Sequence, residues 1–190
     1  DRSRSSPYLD RLIKEIEMQA ALFDDDRVVT QLHWGGGTPT FLNNDEMRRL
    51  MDATRKHFNL VGDDKGEFSI EIDPREADAE KVAVLRELGF NRMSLGVQDF
   101  DERVQKAVNR IESEEQTLAV LNAARAEGFR SISVDLIYGL PFQSVESFRN
   151  TLDRIIAVDP DRISVFDYAF LPRQLLELKL NNNLIKLLFF

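Results

Sequence analysis

The sequence predicts an α/β protein built on a barrel-like parallel sheet, and three observations carry that expectation. Strand-type and helix-type segments alternate along the 190 residues to give five strands, with connections short enough for parallel βαβ units. Two joins share one form: a helix runs out at glycine, phenylalanine follows and a strand begins, at Gly89-Phe90 and again at Gly128-Phe129. Right-handed crossovers in that many units give a doubly wound sheet or a barrel-like one. No G-x-G-x-x-G fingerprint opens a helix, which favours the barrel.

Ser6 is a candidate N-cap with Pro7 in the first turn. Leu9, Leu12, Ile13, Ile16, Ala20 and Phe23 then recur at helical spacing. Asp24-Asp25-Asp26 closes that helix, and residues 28–32 form the first strand. Next comes His33-Trp34-Gly35-Gly36-Gly37-Thr38-Pro39-Thr40. Three successive glycines add no side-chain packing and lose the most backbone entropy on folding. They suit either a tight strand-to-helix turn or a loop whose main chain a ligand touches.

A second helix opens near Asn44-Asp45, with Met47, Leu50, Met51, Thr54 and Phe58 on one face. Residues 67–72 alternate with period two and form the second strand. A helix from about residue 78 to 88 stops at Gly89, a good C′ residue. Residues 93–97 form the third strand. Ser113 and Gln116 fit a capping box for the helix that carries Leu118, Leu121 and Ala124. Residues 131–137 form the fourth strand. A helix with Phe148, Leu152, Ile155 and Ile156 is broken by Asp159-Pro160, and residues 162–166 form the fifth strand.

Composition narrows the function classes. With 43% hydrophobic and 31% charged residues, the chain reads as one ordinary globular domain. A net charge of −8 argues against broad binding to nucleic acid or anionic membrane. No apolar run approaches the ~18 residues needed to span a bilayer. There is no basic-then-apolar leader, so a cytoplasmic location is expected. Cysteine is absent, which excludes disulfides, thiolate zinc and any Cys-ligated cluster built from this chain alone. His33 and His57 are too few and too far apart for a histidine metal site. His57, late in a helix, is structural, whereas His33 borders the glycines and could line a pocket.

In a barrel, chemistry gathers at the C-terminal ends of the strands. Those ends deliver Gly35-Gly36-Gly37-Thr38, then Glu71 and Asp73, Gln98, Asp135 and Tyr138, and finally Asp167 and Tyr168. Arg110 can reach the same rim from the segment after the third strand. Asp135 sits in an apolar run, so burial and a partner or ligand are expected; Glu71, between Ile70 and Ile72, is similar. Carboxylates, a glutamine and glycine carbonyls suit a ligand with hydroxyls and an ammonium group. An arginine suits that ligand's carboxylate. A nucleoside joined to an amino acid fits this description.

Six stretches, residues 33–40, 69–76, 89–100, 108–110, 134–141 and 161–166, together resemble one family. It is the oxygen-independent coproporphyrinogen III oxidases (coproporphyrinogen dehydrogenases), radical S-adenosylmethionine enzymes of haem biosynthesis. The resemblance runs from about Pro7 to Pro172. It implies an incomplete (β/α)6 TIM-like barrel over residues 1–172, followed by a non-matching tail, 173–190. It also implies S-adenosylmethionine and a [4Fe–4S] cluster as cofactors, and a porphyrinogen substrate with an electron donor as partners. The family's reaction turns two propionates of coproporphyrinogen III into vinyls, giving protoporphyrinogen IX. By the same resemblance, Gly36, Gly37, Thr38, Glu71, Gln98, Arg110, Asp135 and the backbone of Ala169 would bind S-adenosylmethionine. The family can hold a second copy of it, and these residues are not divided between the two. No residue is assigned a catalytic role, and the protein is expected to be a monomer.

The departures are equally specific. The family's C-x-x-x-C-x-x-C motif and the strand that bears it have no counterpart here, so the chain is expected to be an internal fragment with no metal ligands, inactive by itself. Phe170 stands where histidine is expected. The alternative, a haem chaperone paralogue, would carry Gly-Gly-Gly-Thr-Pro-Ser, Glu-x-Asn-Pro and Gly-Val-Gln-Ser. This chain has Thr40, Ile72-Asp73-Pro74 and Gln98-Asp99 at those places, which favours the oxidase.

Overall fold

The computed structural model describes residues 2–169. Phe170, the boundary at Pro172 and the tail 173–190 lie outside the described residues. Helix α1 (Ser5–Ala20) is followed by strands β1 (Val28–Val29) and β2 (Gln31–Trp34), helix α2 (Asn44–His57) and strands β3 (Asn59–Leu60) and β4 (Glu67–Ile72). Helix α3 (Ala79–Glu87) leads to β5 (Arg92–Gln98), then come α4 (Glu102–Ala107), α5 (Glu114–Ala126), β6 (Ser131–Tyr138), α6 (Val145–Ala157) and β7 (Arg162–Asp167).

The main sheet has five parallel strands in the order β2-β4-β5-β6-β7. Each new strand adds to the same side, with no reversal of the kind that defines a doubly wound sheet. Right-handed crossovers in one direction put the helices on one face, as in a barrel wall. Along every strand the helix-facing positions are apolar. Phe68, Ile70 and Ile72, Met93, Leu95 and Val97, and Ile132, Val134 and Leu136 join Met47, Met51, Val82, Leu85, Phe90, Leu121 and Ile155 in one core.

Several local expectations change. Ser6 does not cap α1: Arg4 holds the N-cap position with no side-chain cap bond, and the single Ser5 hydroxyl proton is shared between Arg2 O at 2.8 Å and Glu46 Oε1 at 2.5 Å. A tertiary acceptor on α2 thus draws the helix start back to Ser5. The first expected strand divides at Thr30. Val29 O accepts from Val61 N, on the side of a small β1–β3 pair, while Thr30 O accepts from Glu67 N. Helix α4 was not expected, because six residues are too short for a periodic stripe; Asp101 caps it by accepting from the amides of Arg103 and Val104. Ser113 caps α5 by accepting from Gln116 N at 3.1 Å, without the reciprocal bond of the expected capping box. Asn43 and Glu46 form a full capping box on α2, Asp78 caps α3, and Gly89 ends that helix region at φ +91.

The base of the sheet is held by polar bonds. Asn91, only 1% exposed, accepts from Phe68 N at 3.1 Å and donates to Gly66 O and Asp64 Oδ1 at 2.8 and 2.9 Å. Asp64 also receives Arg86 in a bidentate pair and Arg130 at 2.8 Å, and its carboxyl lies below the ordinary carboxylate range through the hydrogen bonds from Asn91 and Arg86. Replacing Asn91→Ala strands a buried N–H and a buried carbonyl. We expect a loss of about 2–3 kcal/mol in urea unfolding with unchanged circular dichroism at zero urea; a change under 0.5 kcal/mol would contradict this role.

Candidate functional site

The two-residue period of a strand sends Glu71 and Asp135 away from the core that their neighbours enter. This corrects the expectation of burial for both. Asp135 is half-buried on the concave face and accepts from Ser94 Oγ at 2.7 Å, while the Glu71 side chain remains 47% exposed. An apolar run was the wrong description of 132–137, whose alternate residues Ser133, Asp135 and Ile137 share the open face. The partner for Asp135 is therefore a hydroxyl at a solvated wall.

Beside them sits the glycine loop. The Gly36 N–H donates to Glu71 Oε2 at 3.1 Å. His33 presents Nδ1 to Ser69 Oγ at 2.8 Å and Nε2 to Glu71 Oε1 at 3.4 Å. Any side chain at Gly35 would collide with His33 and come within 2.8 Å of Glu71 Oε1. Gly36 and Gly37 adopt φ +72 and +54, with nothing within 4 Å of where a Cβ would be. Of the two readings of the glycines, a bare turn accounts for the positive φ but not for a carboxylate hydrogen-bonded to the loop's own amide. Thr38 is half-buried in extended backbone, and its carbonyl accepts from Phe41 N at 2.9 Å.

A second group forms around Gly96. A bulge shifts the β5–β6 register between Gly96 and Gln98, and Gln98 takes φ +66. The missing Cβ of Gly96 leaves room for Gln98 Nε2 and Arg110 Nη2, which lie 2.9 and 3.1 Å from where it would stand. Asp135 is Gly96's register partner on β6. Glu71 neighbours Ser94 on β5, so the two groups form one continuous rim. Ala169 is exposed two residues beyond β7, at the far end of the sheet.

Arg110 donates to Gly96 O at 2.8 Å and pairs with Asp73 at 3.4 Å. Asp73, 8% exposed, also takes Arg75 in a bidentate pair. Burial works to raise its carboxyl, but the side-chain and backbone hydrogen bonds of Arg75 prevail, aided by the charge of Arg110, and hold it below the ordinary range. Two buried atoms in this cluster have no partner among the described residues: Arg110 Nε and Glu112 Oε2. Glu112 Oε1 accepts from the Thr117 hydroxyl. Desolvation pushes Glu112 up to about 7. Neither its burial nor Asp73's role as a counter-ion was legible locally, because Glu112 lies in a polar loop and meets the arginines only through the fold.

The sequence profile of the Radical SAM superfamily matches residues 2–155. The chain belongs to this superfamily. It is 57% identical over 174 residues to the oxygen-independent coproporphyrinogen III oxidase of Pseudomonas aeruginosa, covering 92% of this chain and 38% of that protein. Against the Escherichia coli oxidase it is 52% identical over 169 residues, covering 89% and 36%. The solved E. coli coproporphyrinogen III oxidase, described as a radical SAM enzyme, superposes with a TM-score of 0.87 at 50% identity, over 91% of this chain and 39% of that one. The methyltransferase TsrM from Kitasatospora setae, solved with cobalamin and a [4Fe–4S] cluster, superposes with a TM-score of 0.62 at 16% identity, over 83% and 30%. That last likeness concerns the fold alone. The chain thus spans under two fifths of the length of the P. aeruginosa relative.

Radical SAM proteins use S-adenosylmethionine and a [4Fe–4S] cluster. The rim fits the first: a main-chain loop without Cβ atoms beside a carboxylate, and an arginine with an unpaired buried Nε. It does not fit the second. There is no cysteine in the sequence, and among the described residues no group of three or more His, Asp or Glu could hold a metal ion.

The raised Glu112 carboxyl has a consequence for stability. Between pH 4.5 and about 7 the folded chain keeps a proton there that the unfolded chain has lost. Stability should fall as pH rises through that window and stay level above it. Glu112→Gln should match the parent near pH 5 and exceed it by roughly 2 kcal/mol at pH 8 in urea unfolding. An equal difference at both pH values would contradict it.

Proposed function

We propose that this chain is the S-adenosylmethionine-binding wall of an oxygen-independent coproporphyrinogen III oxidase. One observation carries the reading: the Glu71 carboxylate is hydrogen-bonded to the Gly36 amide at the mouth of a glycine loop, within a chain 57% identical to such an oxidase over 92% of its length.

The residues then take the following roles. Carbonyls at Gly36 and Gly37 receive the methionine ammonium, with Thr38 closing the loop. Arg110 exchanges part of its bonding to Gly96 O and Asp73 for the methionine carboxylate. Asp73, paired with Arg110 at 3.4 Å, fixes the guanidinium in a partly buried place. Glu71, Gln98 and Asp135 take the remaining amine, hydroxyl and amide-type contacts, and the Ala169 backbone meets the adenosine. S-adenosylmethionine, when bound, supplies the 5′-deoxyadenosyl group that takes hydrogen from a substrate propionate. The electron for its cleavage needs a cluster, which this chain has no cysteine to ligate. The partners proposed are coproporphyrinogen III and an electron donor, and the setting a cytoplasmic monomer. No helix among the described residues is long and apolar enough to cross a membrane.

Two measurements test this. Calorimetry on the chain should give S-adenosylmethionine binding that Glu71→Ala weakens at least ten-fold, a loss of about 1.4 kcal/mol or more; no binding by the parent would overturn the cofactor half. In the second, residues 7–169 of this chain replace the matching segment of the P. aeruginosa oxidase, reconstituted anaerobically with iron and sulfide. The hybrid should convert coproporphyrinogen III with release of CO2, and Asp135→Ala should abolish conversion. Stoichiometric haem binding without decarboxylation by the cluster-loaded hybrid would overturn the oxidase half.

A further inference from the structure

Lys81 stands in an unfavourable place. It is the third residue of α3, and its own amide donates to the Asp78 cap at 2.8 Å. The first turn of a helix carries partial positive charge, and an acidic side chain is the favoured occupant at this position. Lys81 is also half-buried. Desolvation, with the nearby charge of Arg2, holds its ammonium below the ordinary lysine range. Such a cation needs strong acceptors. It has two, both from the segment that leaves the glycine loop: Thr40 O at 2.6 Å and Leu42 O at 3.2 Å.

That segment needs an anchor. The loop enters from β2 and is tied there by the Gly36–Glu71 hydrogen bond. Gly36 and Gly37 then have nothing within 4 Å of their Cβ positions, so side-chain packing does not fix their backbone. At the exit, the turn Pro39–Phe41 closes on itself through Phe41 N to Thr38 O and Leu42 N to Pro39 O. Those bonds shape the turn but do not join it to the sheet or to α3. Thr40 is fully buried beneath it. The Lys81 ammonium ties this segment to α3 by gripping two carbonyls on either side of Phe41; the next tie from α3, Asn44 Nδ2 to Glu80 Oε1 at 3.0 Å, falls at the start of α2, beyond the turn.

We propose that Lys81 is a positioning residue: its ammonium clamps the exit of the glycine loop to α3 and so holds the main chain of Gly35–Thr38 in the shape that receives a ligand. The clamp deepens the reading of this loop as the S-adenosylmethionine site and rests on it for its purpose, though not for its existence. Glycine-rich backbone loses the most entropy when ordered, and an anchor that orders it beforehand removes that cost from binding.

The test is amide hydrogen exchange on the full chain, with Lys81→Met to remove the charge at similar length and Lys81→Arg to restore a two-carbonyl donor. Lys81→Met should speed exchange across residues 36–42 at least ten-fold. Exchange in β4, β5 and β6 should stay within two-fold of the parent, and Lys81→Arg should bring the loop back to within about three-fold. Unchanged loop exchange, or acceleration spread evenly over the sheet, would overturn the clamp. S-adenosylmethionine affinity is measured alongside. If the parent binds, Lys81→Met should weaken binding about ten-fold, and unaltered affinity would overturn the role in ligand reception. If the parent does not bind, the cofactor reading fails, while the exchange experiment still decides whether Lys81 clamps the loop.

Discussion

Among the described residues helices cover only one face of the parallel sheet, and the site depends on this. Because strand residues alternate, every position that does not enter the core must meet whatever lies on the other side. On this chain the other side carries a polar row, His33 and Ser69, Glu71 and Ser94, Gly96 and Asp135, then Ser164, with the apolar pair Ile137 and Phe166 beside it. A parallel sheet covered on both faces would read as nearly continuous apolar runs. The serines and carboxylates between the valines and leucines therefore mark the wall of an open barrel.

At the upper end of that wall, charge is stacked in depth. Glu71 and Asp135 are solvated enough to stay available for contact, whereas Asp73 and Glu112 are buried and Arg110 is half-buried between them. A buried arginine with one carboxylate directly paired and another nearby is held in place more by the cost of leaving it unpaired than by net attraction. Glu112, pushed up to about 7, is the member of this set most sensitive to physiological pH. Lys81 does for the loop what this cluster does for Arg110: a cation placed at some cost fixes a flexible or charged neighbour.

Among the described residues the sheet also has two open edges. At β2 an apolar groove of 1260 Å³ runs past Leu12 and Ile16 of α1, Leu32 and Trp34 of β2, and Leu50 of α2. Helix α1 packs on α2, while Tyr8, Met18 and Phe23 remain 49–65% exposed. The groove begins at the glycine loop itself, so the entry side of the candidate cofactor site and the unpaired edge of β2 are one surface.

Much of this was legible in the sequence. Period-two patterns located the strands, glycine and phenylalanine marked the joins, and Asn43, Asp78, Ser113 and Ser144 lie where helices need acceptors for their first amides. The rim residues Gly36, Gly37, Thr38, Glu71, Gln98 and Asp135 were nameable from strand ends, and Arg110 from the segment after the third strand. These are local properties, set by residue type and spacing within about ten residues. What the sequence could not decide were pairings across long separations. The split of the first strand at Thr30 depends on which of two strands each carbonyl meets. The exposure of Asp135 depends on the far face having no helix layer. Lys81 meets the Thr40 carbonyl 41 residues away, and Asp73 meets Arg110 across a separation almost as long. A carboxylate or an ammonium carries no local sign of whether water or a buried counter-charge will surround it; only the packed sheet, by excluding solvent from one side of the rim, settles that.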